Sequence, residues 1–235
     1  MVVAKSPASE KDLAEQLRAA DMQLDPSQTG KKLYVALLLG HPGGEEKRSC
    51  ITASGNIGRD PKNGKMWAVT SAGKPAKTIF RVHASSKKHG LSLVTAELFS
   101  GRTHQIRVHA ASLGAPVAND KVYASIYQPK AFQAFRRRPF SQGLPDKRQL
   151  LHAFGLNIEH PVRSRGHGPL RLRAPIPKDM SDIIRQVWPD LPLEPPRWPN
   201  WPEGFGFQDL AELSETSASQ ILGCTWGTLN HPSTP

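Results

Sequence analysis

The chain has 235 residues, 38% hydrophobic and 22% charged, which is enough for one substantial core or for one core plus a tail. Its 31 Lys and Arg against 20 Asp and Glu leave a net charge of +11, which fits attraction to nucleic acid or an anionic surface and equally fits a basic protein with no specific site. No stretch approaches the roughly 18–20 uninterrupted apolar residues of a spanning helix, so no membrane is expected. Cys50 and Cys224 are too few and too far apart for a disulfide framework or a zinc site. A reducing, intracellular compartment is expected.

In chain order, Met1-Val2-Val3-Ala4-Lys5 reads as the end of a buried strand. A helix follows, with Ser9 as its cap and Leu13, Leu17 and Ala20 as its apolar stripe. After a loop from Pro26 to Gly30, residues 32–39 form a strongly apolar strand that His41-Pro42-Gly43-Gly44 ends. Short strands are predicted near 49–57, 66–70, 76–83 and 91–99, with turns at Lys62-Asn63-Gly64-Lys65 and Lys88-His89-Gly90. Ile106, Ala110 and Leu113 share one face of a helix that Gly114 stops. Residues 124–149 read as a basic, irregular connection containing Phe135-Arg136-Arg137-Arg138-Pro139. Strands near 150–158 and 169–174 and a helix over 178–187 complete one domain, 1–187. Residues 188–235, rich in Pro and Trp and then polar, read as an extended or disordered tail. Strands interrupted by single helices, without βαβ alternation, predict an α+β class.

The densest chemistry lies at Gly101-Arg102-Thr103-His104-Gln105-Ile106-Arg107-Val108-His109, between the strand at 91–98 and the following helix. Two guanidinium groups, amide donors and a helix N-terminus on one corner suit a phosphate or a carboxylate. His104 and His109, five apart, lack the spacing of a metal-binding pair, and no metal is expected.

This segment resembles the signature of the RluA-type (large-subunit ribosomal) pseudouridine synthases. Gly114-Ala115-Pro116 and Asp120-Lys121-Val122-Tyr123 are similar to the turn and the Asp-Xaa-Xaa-Tyr that follow it there, with Asn119 where the family usually has glycine. Lys32-Leu33-Tyr34-Val35-Ala36, Gly73-Lys74-Pro75-Ala76-Lys77-Thr78, Leu151-His152-Ala153 with His160-Pro161, and Ala174-Pro175-Ile176-Pro177 resemble further family motifs in the family's order.

The resemblance implies an α+β fold with a curved, mostly antiparallel mixed sheet, flanking helices and an RNA cleft. It implies conversion of uridine to pseudouridine in structured RNA, ribosomal or transfer, with no cofactor or metal. On it, Arg107 is the cation that aims the family's catalytic aspartate, and Tyr34 stacks on the target base and assists proton removal at C5. Arg102, Thr103, His104 and Gln105 shape the pocket or contact RNA; His109 is a packed helix residue, and Asp120 and Tyr123 fix the turn. The family's aspartate belongs to a His-Arg-Leu-Asp segment that does not occur in these 235 residues. The sequence is therefore expected to be truncated ahead of it, incomplete at the sheet's N-terminal side, with Arg107 deprived of its acidic partner. A chain so truncated is expected to be inactive and to be poorly soluble or paired with another chain. Asp60 is the weak substitute for the aspartate. The alternative is a catalytically inactive RNA-binding relative acting in ribosome assembly or as a scaffold.

Overall fold

The computed structural model describes residues 2–19, 31–43, 50–161 and 169–192. Its elements in chain order are α1 (Pro7–Ala19), β1 (Lys31–Leu39), β2 (Cys50–Arg59), β3 (Trp67–Val69), β4 (Lys74–Ser86), β5 (Leu91–Leu98) and α2 (Gln105–Ser112). There follow α3 (Ala124–Tyr127), α4 (Pro129–Arg136), a 3-10 turn at Pro139–Ser141, β6 (Leu151–Glu159), β7 (Pro169–Arg173) and α5 (Lys178–Val187). Ala20, the loop at 26–30, Gly44 and the Pro/Trp-rich segment beyond Pro192 lie outside the described residues.

The strands make one sheet in the order β3-β2-β4-β5-β1-β6-β7. Over the described residues every pairing is antiparallel. β1 sits between β5 and β6, with Tyr34 opposite Ala96 on one side and Ala153 on the other. Flanked by strands and covered on both faces, it needs an apolar side chain at almost every position, and its sequence supplies them: Leu33 and Val35 through Leu38 are fully buried. β5 is buried at all eight of its positions for the same reason.

One face of the sheet carries α2. Ala36 and Leu38 of β1, Phe80 and Val82 of β4 and Val94 and Ala96 of β5 pack with Ile106 and Ala110 of the helix. Tyr34, two residues before Ala36, points to the same face and packs partly buried against this cluster. A second cluster joins Ile57, Met66 and Ala76 to Val108, Ala111 and Tyr123, with Trp67 against it. Each fully buried large side chain contributes about 1.5–3 kcal/mol, so these two clusters fix α2 firmly across the sheet.

Three expectations are corrected. Residues 2–4 form no strand: Val2 and Val3 are 42% and 70% exposed and belong to no ladder of the sheet, and an extended segment without hydrogen-bonded neighbours has nothing to hold it as a strand. The cap of α1 is Ser6, not Ser9. The Ser9 N–H donates to Ser6 Oγ (3.2 Å), and Pro7, whose fixed φ suits the first helical position, opens the helix. The connection at 124–149 is not irregular. It contains α3 and α4, with Pro129 at the start of α4 and Phe135 buried beneath it; eight residues with one buried anchor are too short to show a helical period in sequence. The other predicted strands and the helix at 178–187 are found where expected, and no helix among the described residues is long and apolar enough to cross a membrane.

Candidate active site

β5 ends at Leu98, and the chain turns through 99–104 into α2. The turn is braced by Gln105. Its Oε1 accepts from Ser100 Oγ (2.6 Å) and the Arg102 N–H (3.0 Å), while its Nε2 donates to Lys77 O and Thr78 Oγ1, both at 3.0 Å. Both donors and both acceptor sites are thus used, and the residue is 2% exposed. The Gln105 amide is thus fully engaged within the corner. Arg102 reaches the start of β4, its Nε donating to Pro75 O (3.1 Å), and Thr103 is exposed at the corner.

His104 precedes α2 in the left-handed region, φ 57. Histidine tolerates this better than branched residues, at a cost of about 1 kcal/mol. The conformation directs the ring to Tyr123: Nδ1 lies 3.2 Å from the phenolic oxygen, with the rings edge to face. Desolvation, then the Arg107 charge, lowers the imidazole below its ordinary value; Asp120 opposes the shift and Arg59 adds to it.

Arg107 lies on α2 and is largely covered. Its Nε donates to Asp120 Oδ2 (2.6 Å) and an Nη to Asp120 Oδ1 (2.8 Å), and its guanidinium sits 4.8 Å over the Tyr123 ring. The Asp120 side chain is fully buried and the Arg107 side chain is 12% exposed. Arg107 thus has an acidic partner other than the family's aspartate: a carboxylate from the turn after its own helix grips it in the fork geometry that guanidinium favours. Asp120 Oδ1 also accepts from the N–H groups of Val122 (3.0 Å) and Tyr123 (3.1 Å), so the expected turn-fixing role is present as well. Asn119 takes φ 59 in place of the usual glycine, and its amide donates to the carbonyls of Pro145 and Arg148.

Tyr123 joins the corner to the sheet edge. Its hydroxyl donates to Trp67 O (3.2 Å) and accepts from the Trp67 N–H (3.3 Å). Opposite Trp67 on β2, Arg59 stacks on the indole at 4.6 Å. Sequence reasoning passed over both residues; the only signal was a cation and an aromatic flanking a Gly-containing turn. Tyr34 stands apart from this group. It contacts the cluster containing Ile106, the neighbour of Arg107, and burial raises its phenol above the ordinary 10.0. Asp60 accepts from the Lys62 N–H (2.8 Å) in the β2–β3 turn.

His109 is fully buried, as a packed helix residue should be. Its Nδ1 lies 2.9 Å from the Thr78 hydroxyl, which also accepts from Gln105, and its Nε2 is buried without a partner. Desolvation holds this imidazole down at about 4 from its ordinary 6.5. Above 6.5 the folded and unfolded chains both carry it neutral. Between 6.5 and 4 only the unfolded chain takes up the proton, so stability falls as the pH drops through that window and the loss levels off below it. Urea midpoints from pH 7 to 4.5 are expected to fall less steeply in His109→Gln than in the parent. Parallel declines would refute the assignment.

The family model of the RNA pseudouridylate synthases matches residues 1–112, which contain the corner and the five strands before it. The chain belongs to the RluA-type pseudouridine synthases. It is 36% identical over 188 residues to ribosomal large subunit pseudouridine synthase D of Nitrosomonas europaea, covering 80% of this chain and 47% of that protein. It is 32% identical over 187 residues to an uncharacterized RNA pseudouridine synthase of Chloroflexus aurantiacus, covering 80% of this chain and 49% of that one. The chain thus spans about half the length of the curated relatives it matches. Among solved structures, human RNA pseudouridylate synthase domain containing 1 superposes with TM-score 0.54 at 23% identity, over 81% of this chain and 75% of that chain, a likeness in fold.

Proposed function

We propose that this chain supplies the uridine-binding face of an enzyme that converts uridine to pseudouridine in structured RNA. The observation that carries the reading is Arg107, fixed by Asp120 and Tyr123 at an exposed strand-to-helix corner in a chain of this family. In the reaction the bond between uracil N1 and the ribose breaks, the base turns, and C5 bonds to the sugar while its proton leaves. A base inside a duplex must first be flipped out. A carboxylate must act beside the sugar or base, and a preset guanidinium holds such a group ionised and aimed. Tyr34, kept a neutral phenol by burial, fits stacking against the base better than abstracting its proton. The relatives named for the large ribosomal subunit favour ribosomal over transfer RNA as the substrate.

Among the described residues the carboxylate bonded to Arg107 is Asp120, fully buried with both oxygens engaged, which suits it to hold the arginine and not to attack. Residues 1–235 alone are therefore expected to bind large-subunit RNA fragments without converting uridine, as read by nucleoside chromatography after digestion. The same chain extended at its N-terminus by a family segment carrying His-Arg-Leu-Asp is expected to convert it. Conversion by residues 1–235 alone would overturn the role given to Asp120. An extended chain that folds and binds RNA yet leaves uridine intact would overturn the synthase reading.

A further inference from the structure

We infer that the β2–β3 hairpin is an RNA-contacting arm, in which Arg59, stacked on Trp67, receives the base of an unpaired nucleotide flanking the target uridine while Lys62 and Lys65 take adjacent phosphates. The inference rests on the RNA-handling reading above and adds a subsite to it.

Arg59 and Trp67 are the cross-strand pair that closes the turn of the hairpin, and the guanidinium lies 4.6 Å over the indole. One plane of the guanidinium is thus occupied by an aromatic ring. Arg59 is exposed, and guanidinium planes, like aromatic faces, are surfaces on which unpaired bases stack. The side chain is also set in place, its Nη donating to Gly64 O (3.3 Å). A base arriving there meets a prearranged platform, which lowers the ordering cost of binding.

The tip is rigid as well. Asp60 N–H donates to Met66 O (3.0 Å), Met66 N–H to Asn63 O (2.8 Å), the Lys62 N–H to Asp60 Oδ1 (2.8 Å) and the Lys65 N–H to Asn63 Oδ1 (3.3 Å). Asp60, the one acid of the turn, turns its Oδ1 back to the Lys62 N–H, while the Lys62 and Lys65 side chains are exposed. The arm is joined to the candidate active site through Tyr123, whose hydroxyl bonds Trp67 on one side and His104 on the other. The charge of Arg59 is felt at His104. A strand of RNA delivering a flipped uridine to Arg107 would have a neighbouring nucleotide within reach of this platform.

The test uses the 235-residue chain and fluorescence anisotropy with a labelled uridine-containing RNA stem-loop at several salt concentrations. Arg59→Ala is expected to weaken binding about tenfold. Arg59→Lys, which keeps the charge and loses the plane, should recover less than half of that loss on a logarithmic scale. The double variant Lys62→Ala/Lys65→Ala should make the dependence of log affinity on log salt shallower by about 1.4, two single-strand phosphate contacts. Lys11→Ala serves as the control, since α1 is bound to β6 through Gln16 at the far side of the sheet. Circular dichroism confirms that each variant is folded. Folded hairpin variants that bind within twofold of the parent, or a Lys11→Ala loss of equal size, would overturn the inference. Failure of the parent chain to bind RNA at all would instead overturn the reading on which it rests.

Discussion

Asp120→Ala is expected to lower the free energy of unfolding by about 3–5 kcal/mol. The carboxylate is fully buried and serves four hydrogens: two from Arg107 and the N–H groups of Val122 and Tyr123. Alanine removes all four bonds and leaves a largely covered guanidinium without its counter-charge. Asp120→Asn separates the two contributions. An amide oxygen can still accept from the turn, but its NH2 then faces the Arg107 donors, so Asn should recover the turn and not the ion pair. Urea denaturation of the parent and both variants measures this, with the expected order parent, Asn, Ala. An Ala variant within 1 kcal/mol of the parent would mean that water replaces the carboxylate and that Arg107 is not held as described.

Gly73→Ala is expected to cost about 3 kcal/mol, near the top of the range for overpacking. A methyl group at Gly73 would lie 2.3 Å from the carbonyl carbon of Ile57, 2.6 Å from Ile57 O and 2.6 Å from the Gly58 nitrogen. All three are backbone atoms of β2, which cannot swing aside as a side chain can. A methyl group added at Gly58 would in turn lie 2.9 Å from the Gly73 Cα, so two glycines are needed where these segments touch. Gly64→Ala is the matched control, since nothing lies within 4 Å of its added methyl, and it should change stability by no more than about 0.5 kcal/mol. Equal melting temperatures for the two variants would show that the β2–Gly73 contact relaxes freely.

The parts of the fold legible in sequence were those whose signal is local. β1 and β5 are covered on both faces and announce themselves by nearly continuous apolar side chains; α5 runs over Lys178–Val187 because Met180, Ile183, Ile184 and Val187 fall at helical spacing. Asp120 as a turn residue was readable too, since the N–H groups it accepts lie two and three positions ahead. Its grip on Arg107 was not. That pair spans a helix, a left-handed Gly114 and the turn that brings Val117 against Leu38, and only the assembled fold sets the distance. The bonds of Gln105 to β4 were not readable either, because they depend on how the start of α2 turns that side chain onto Lys77 and Thr78. Arg59 and Trp67 escaped notice because each looks ordinary until β2 and β3 pair.

The position of β1 has a consequence for how the molecule comes together. β4 and β5 are joined by the short turn ending at Gly90, and β2 and β3 by another, so these pairs close on contacts near in sequence. β1 instead inserts between β5 and β6, meeting Leu91 through Leu39 and Leu151 through Ala36. Both pairings close long stretches of chain, and such closures are slow because their entropy is lost before the contacts form. The strand carrying Tyr34 is thus expected to join late in folding, after the hairpins, so that the tyrosine reaches its place beside α2 only when the two halves of the sheet are stitched into one.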